Sequence, residues 1–281
     1  MLSRIYLEIT NICNRSCAFC PGTKRAPRAL TPEEFAFLAA KLRPHTDYLY
    51  LHVMGEPLAH PQLPELLNIA GELGFRVILT TNGTLLAARQ EALLSAPCLH
   101  KVHISLHSFE ANDRGGFARY LHGCTAFGRA AMARGILINY RLWNLDGAET
   151  EGLHARNDDI LAALHAAFPD KWDENSWGWR LAPGVFVQYG ERFEWPELSA
   201  RDRGARGRCL ALRQQAAVLC DGTVVPCCLD HEGDMALGNL FTQEWEEILS
   251  SPAACAIRDG FAAGRRAHPL CRTCGFASRF G

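Results

Sequence analysis

Two periods of hydrophobicity run through this chain. Residues 5–9, Ile-Tyr-Leu-Glu-Ile, form a short apolar run of strand length, and the spacing predicts a first strand there. Thr31-Pro32-Glu33-Glu34 reads as a helix start, with a Thr cap, Pro at the first helical position and Glu three residues after the cap. Phe35, Leu38 and Leu42 then recur at helical spacing. Residues 48–53 predict a second strand. Leu63, Leu66, Leu67, Ala70 and Leu73 predict a helix that stops at Gly74. The alternation continues with strands at 75–80, 101–106, 136–142 and 185–189. Helices are expected near 85–94, through Cys124, Phe127 and Ala131, and through Ile160, Leu161, Leu164 and Phe168. Strands alternating with helices predict parallel βαβ units, with site residues at the C-terminal strand ends.

From about Ala205 the alternation stops. Apolar residues 216–219 and 224–225 flank Asp221-Gly222, which predicts a hairpin, and a helix is expected around 245–249. Two domains follow from this change of pattern, 1–204 and 205–281.

Composition narrows the classes. The chain has 281 residues, 48% hydrophobic, and a net charge of −1, so no long-range attraction to nucleic acid or anionic membrane is expected. Among its basic residues Lys occurs only at 24, 41, 101 and 171, a bias that genome base composition explains. Twelve cysteines occur with no expected export signal, since Met1-Leu2-Ser3-Arg4 runs straight into the first strand pattern. That usage argues for metal ligation rather than disulfides, and for a reducing cytoplasm.

The chemistry concentrates at strand ends. After the first strand comes Cys13-Asn-Arg-Ser-Cys17-Ala-Phe-Cys20. Three thiolates so spaced can hold three irons of a cubane and leave the fourth iron open; the alternative is a zinc knuckle completed by a histidine. The second strand ends in Met54-Gly55-Glu56-Pro57 and the third in Thr80-Thr81-Asn82-Gly83-Thr84. Each is equally readable as a turn. Ser105 and His107 close the fourth strand and are expected on the same face. Asn139 and Arg141 share a face of the fifth, where Arg141 could bind a carboxylate bidentately. Trp172, Trp177, Trp179 and Trp195 wall a cavity or pack a core and lid. Arg201, Arg203, Arg206 and Arg208 read as a solvated linker. Cysteines return as Cys209, Gly222-xxxx-Cys227 and Cys271-Arg-Thr-Cys274, four ligands able to close a cluster or a zinc site. Cys220 and Cys228 adjoin this set and either could replace a neighbour. Cys98 and Cys124 read as packed hydrophobes. Asp230 is either a general base or a cap on backbone amides.

The spacing of Cys13, Cys17 and Cys20 resembles the cluster loop of the radical S-adenosylmethionine (SAM) superfamily. Met54–Pro57 resembles its GGEP motif, with Met replacing the first Gly. The C-terminal cysteines resemble its SPASM extension in the truncated twitch form, because no cysteine follows Cys274. The resemblance implies a partial (β/α)6 TIM barrel with a small α+β iron–sulfur domain. It implies one [4Fe-4S] cluster on Cys13, Cys17 and Cys20, and an auxiliary [4Fe-4S] cluster on Cys209, Cys227, Cys271 and Cys274. SAM contacts then fall to Met54, Gly55, Glu56, Pro57, Asn82, Ser105, His107 and Arg141. The implied reaction is reductive SAM cleavage to a 5′-deoxyadenosyl radical, with the electron supplied by reduced flavodoxin or ferredoxin. Hydrogen abstraction from a small-molecule or peptide substrate would follow, with net two-electron oxidation by a dehydrogenase-like oxidoreductase. A peptide maturase forming thioether or carbon–carbon links and a non-catalytic zinc scaffold are the competing expectations.

Overall fold

The computed structural model describes residues 1–108, 114–145, 151–191 and 193–280. They fall into two compact units, Met1–Arg76 with Phe193–Gly281, and Val77–Arg192.

The first unit begins with strand β1 (Arg4–Leu7), helix α1 (Pro32–Leu42), strand β2 (Tyr48–Tyr50) and helix α2 (Leu63–Glu72). The capping box expected for α1 is present: the Thr31 hydroxyl accepts from Glu34 N, and the Glu34 carboxylate accepts from Thr31 N. α1 buries Phe35, Leu38 and Leu42, and α2 buries Leu63, Leu66 and Leu67. β1 runs parallel to β2, pairing Ile5 with Leu49. Ile5, Leu7 and Ile9 are fully or almost fully buried on one face of this first run, while Tyr6 and Glu8 take the other.

The second unit opens with strand β3 (Arg76–Thr81), helix α3 (Leu86–Ser95), strand β4 (Leu99–Ser105), helix α4 (Arg114–Ala133) and strand β5 (Leu137–Leu145). Helix α5 (Glu151–Ala167) then leads to strands β6 (Asp173–Asn175), β7 (Gly178–Ala182) and β8 (Val185–Glu191). The strand order is β3-β4-β5-β8-β7-β6. β3 to β4, β4 to β5 and β5 to β8 are parallel. β6 and β7 were not expected; they add an antiparallel extension to β8. Trp172 stacks on His165, and Trp179 packs edge-on against Tyr189, while Trp177 is exposed. β4 ends at Ser105 and the chain enters a 3-10 turn at Leu106–Ser108. Ser105 and His107 therefore do not share a strand face, because the extended alternation is broken between them.

The first unit resumes with strands β9 (Gln215–Val218), β10 (Thr223–Val225) and β11 (Gly238–Asn239) and helices α6 (Trp245–Leu249), α7 (Pro252–Ala262) and α8 (Pro269–Thr273). β9 and β10 form the expected hairpin. Gly222 is required in its turn: its φ is +85°, and an added Cβ would sit 2.4 Å from the Phe241 ring. The sequence did not announce that β9 also runs parallel to β1, pairing Leu7 with Val218. No described helix is long and apolar enough to cross a membrane.

Candidate active site

The cysteine loop hangs from the end of β1 by a closed neck. Asn11 donates from Nδ2 to Ala26 O at 2.9 Å and accepts from Arg28 N at 2.8 Å, while Thr10 Oγ1 donates to Arg28 O. Within the loop Cys20 N donates to Cys17 O at 3.0 Å. Cys13 and Cys20 are exposed and Cys17 is half-buried. Three thiols thus sit on a tethered loop that leaves their outer side open to a ligand.

The Met54–Pro57 segment docks against this neck. Gly55 has φ +75°, and a Cβ there would meet Thr10 O at 2.4 Å. Glu56 N donates to Ile12 O at 3.0 Å. Only glycine permits that approach of two backbones, so the segment is held in register with the cysteines. Glu56 is buried, and one carboxylate oxygen caps the following turn by accepting from Leu58 N. The same residue therefore fits the turn reading and leaves a buried carboxylate beside the cysteine loop.

Glu8 was not singled out from the sequence, yet it joins these parts. It is fully buried and accepts from Met54 N at 3.0 Å, from Cys220 N at 3.1 Å, and from both terminal nitrogens of Arg25. Its signal was a lone acidic residue within an otherwise apolar first strand.

The remaining expected SAM contacts lie in the second unit. Asn82 Oδ1 accepts from Thr84 N at 2.9 Å, as in an Asx turn. Ser105 pairs in register with Arg141, and His107 Nδ1 lies 3.1 Å from Arg141 O, so these three are brought together. The Arg141 guanidinium sits 4.7 Å over the Trp143 ring. Beside them Asn139 Nδ2 bridges His103 Nδ1 at 3.0 Å and Gln188 Oε1 at 2.9 Å. His103 and Gln188 extend the polar row and were missed, although polar residues at 101, 103 and 105 carried the alternation.

The C-terminal cysteines assemble around α8 and the end of the hairpin. Cys227 lies within electrostatic reach of Cys228, Cys209 and Cys271, and Cys271 within that of Cys209 and Cys274. Burial first, then the neighbouring thiols, pushes Cys271 up to about 12, and Cys227 is raised by the same causes. Four cysteines around the hairpin end and α8 supply the thiolate donor set that an iron–sulfur cluster takes, ionising as the metal binds. Cys228 neighbours Cys227 and also packs against Tyr6 beside an apolar cluster, and Cys220 Sγ lies 3.7 Å from Arg25 Nη1. Burial raises Asp230 to about 6, although its two oxygens accept from Asp234 N and Met235 N, both at 2.9 Å. Those are the bonds of a backbone cap. Of the linker arginines, all exposed, Arg203 pairs with Glu194, and its N donates to Arg272 O at 2.7 Å.

Comparisons agree with this construction. Residues 7–149, just over half of the chain, match the family model of the radical SAM superfamily, and residues 209–275 match that of an iron–sulfur cluster-binding domain. A GTP 3′,8-cyclase of Marinobacter nauticus is 29% identical over 212 residues, 71% of this chain and 57% of that protein. The chain spans about half the length of the curated relatives it matches. BtrN in complex with AdoMet and 2-DOIA superposes with a TM-score of 0.62 at 19% identity, over 98% of this chain and 93% of that one. Native anSMEcpe with bound AdoMet and a Cp18Cys peptide gives 0.61 at 13% identity, over 97% and 88%. The α/β fold is that of these structures, a partial (β/α)6 barrel with a C-terminal SPASM-type domain. The cofactors follow as SAM, its [4Fe-4S] cluster and auxiliary iron–sulfur. By its fold, its cysteine loop and the match across residues 7–149, this chain belongs to the radical SAM superfamily.

Proposed function

We propose that this protein is a radical SAM oxidoreductase acting by net two-electron oxidation of its substrate. The observation that carries the reading is the electrostatic contact among Cys209, Cys227, Cys271 and Cys274. Four cysteines fill every corner of a cubane, which suits electron transfer better than substrate ligation. When bound, the two clusters supply reductive cleavage of SAM to a 5′-deoxyadenosyl radical and a sink for the electron of the substrate radical. The chain's own part is to bind and orient. Cys13, Cys17 and Cys20 hold three irons and leave a place for SAM. Glu56, with the Met54–Pro57 backbone, supplies the buried anion that a SAM ammonium needs. Asn82, Ser105, His107 and Arg141 take the rest of SAM, with Arg141 suited to its carboxylate. Asp230, with one backbone N–H on each carboxylate oxygen, serves as a cap rather than as the base. We divide the chain functionally at 1–204 and 205–281. Reduced flavodoxin or ferredoxin serves as electron donor in a cytoplasmic setting.

The match to anSMEcpe with a bound peptide favours a second reading, a peptide substrate. One experiment separates the outcomes. Wild type and a Cys271→Ala/Cys274→Ala variant are incubated anaerobically with SAM, dithionite and panels of small hydroxyl-bearing substrates and cysteine-bearing peptides. The variant's first-cluster absorbance and circular dichroism are checked beforehand. The proposal expects 5′-deoxyadenosine from both proteins and oxidised product from wild type alone. Full oxidised product from the folded variant, or a redox-neutral wild-type product, overturns it; oxidised or crosslinked peptide from wild type alone supports the second reading, since crosslinking also removes two electrons.

A further inference from the structure

Arg266 lies just past α7 and is 6% exposed. Its backbone is pinned: Arg266 N donates to Ala205 O at 2.7 Å, and Gly207 N donates to Gly264 O at 2.9 Å. The side chain runs against Gly207, where an added Cβ would stand 2.5 Å from Nε and 2.9 Å from Nη2. The space for this guanidinium is therefore made by a missing side chain two residues before Cys209. Among the described residues Arg266 has no carboxylate ion-pair partner, and its buried Nε has no hydrogen-bond acceptor. Its electrostatic neighbours are Cys209, Cys271 and Cys274.

A guanidinium is charged at every working pH, and burying one without an anion is costly. Neutral thiols do not offset that cost. Four thiolates around a cluster do, because they bring net negative charge to the spot the guanidinium already occupies. We propose that Arg266 is the built-in counter-cation of the auxiliary cluster, offering it Nε–H and holding its reduction potential up. A nearby positive charge favours the reduced, more negative cluster, and hydrogen bonds to cluster sulfurs act in the same direction. The inference rests on the reading of residues 209–274 as an auxiliary cluster site.

The test uses the full chain with Cys13, Cys17 and Cys20 replaced by Ala, so that only the auxiliary cluster titrates. Its midpoint potential is read by electron paramagnetic resonance with Arg266 intact, as Arg266→Gln and as Arg266→Lys. Elemental analysis accompanies each sample. Arg266→Gln is expected to shift the reduction equilibrium about tenfold toward the oxidised form, about 59 mV for one electron. Arg266→Lys should recover at least half of that shift. If Gln loses iron while Lys retains it, the need for charge is supported directly. An unchanged potential at full iron content overturns the role of Arg266 alone, as does equal loss of iron in both variants. Zinc or no metal in the parent overturns the auxiliary-cluster reading itself, and with it this inference.

Discussion

Arg25 and Glu8 meet as a two-pronged pair: Nη1 donates to Oε2 at 2.8 Å and Nη2 to Oε1 at 2.7 Å. Arg25 also donates from Nε to His231 O at 2.8 Å. The pair therefore ties the cysteine loop to β1 on one side and to the segment after the auxiliary hairpin on the other. Arg28 repeats the link by donating to Cys220 O at 2.7 Å. Planar bidentate geometry fixes direction as well as distance, so the loop has little freedom to swing about its neck.

Removing one member of this pair leaves the other buried and uncompensated. Glu8→Ala also strands Met54 N and Cys220 N. Breaking a buried pair costs about 3–5 kcal/mol, and that loss is expected in anaerobic urea unfolding. A loss below about 1 kcal/mol would mean that the pair behaves as a solvated one.

Iron content tests the ligand assignment. Reconstituted wild type should hold about eight irons, two cubanes on seven cysteines. Replacing Cys13, Cys17 and Cys20 by Ala should halve the iron and abolish SAM cleavage. A wild-type content near four, with zinc present, would return the C-terminal cysteines to a structural zinc site.

Glu56 and Gly55 separate anchoring from recognition. Glu56→Ala should weaken SAM binding at least tenfold in an equilibrium titration while iron content holds, about 1.4 kcal/mol. Gly55→Ala is expected to be worse on both counts. Its Cβ would press on Thr10 O, and its φ of +75° disfavours a side chain. Unchanged SAM affinity in Glu56→Ala would reduce the segment to a turn.

Thiol reactivity should sort the cysteines. Burial pushes Cys124 up to about 12 and Cys98 up to about 11, whereas Cys13 and Cys20 are exposed. At pH 8 a thiol near 12 is ionised in roughly one molecule in ten thousand, and the thiolate is the nucleophile. Iodoacetamide mapping of the metal-free protein should label Cys13 and Cys20 well before Cys98 and Cys124. Comparable labelling of Cys124 would show that α4 opens readily.

What could be read from the sequence was local. The Thr31–Glu34 box and the Asp221-Gly222 turn each complete their own geometry within a few residues, and the fold contains both. Pairings between distant segments left no such trace. β9 beside β1 carries no motif, and the polar, exposed Asp173–Asn175 lacks the alternation that marks a strand. Glu8 looked like one polar residue in a strand because its partners come from three separate stretches. His107 was misplaced on a strand face because nothing in Ser105-Leu106-His107 marks a 3-10 turn.

The parallel seam between β1 and β9 sets a timetable for synthesis. Glu8 and Cys220 are 212 residues apart, so the ribosome makes most of the 281-residue chain between them. At about 5–20 residues per second that is a wait of roughly 10–40 s. During it Cys13, Cys17 and Cys20 are already outside the tunnel while half of their scaffold does not exist. The loop can close its own neck through Asn11 and Arg28, but Glu8 meets Cys220 only when the hairpin emerges. The first cysteine loop to be made is thus locked only late in synthesis, and metal delivered before that moment meets a loop that still lacks its backing.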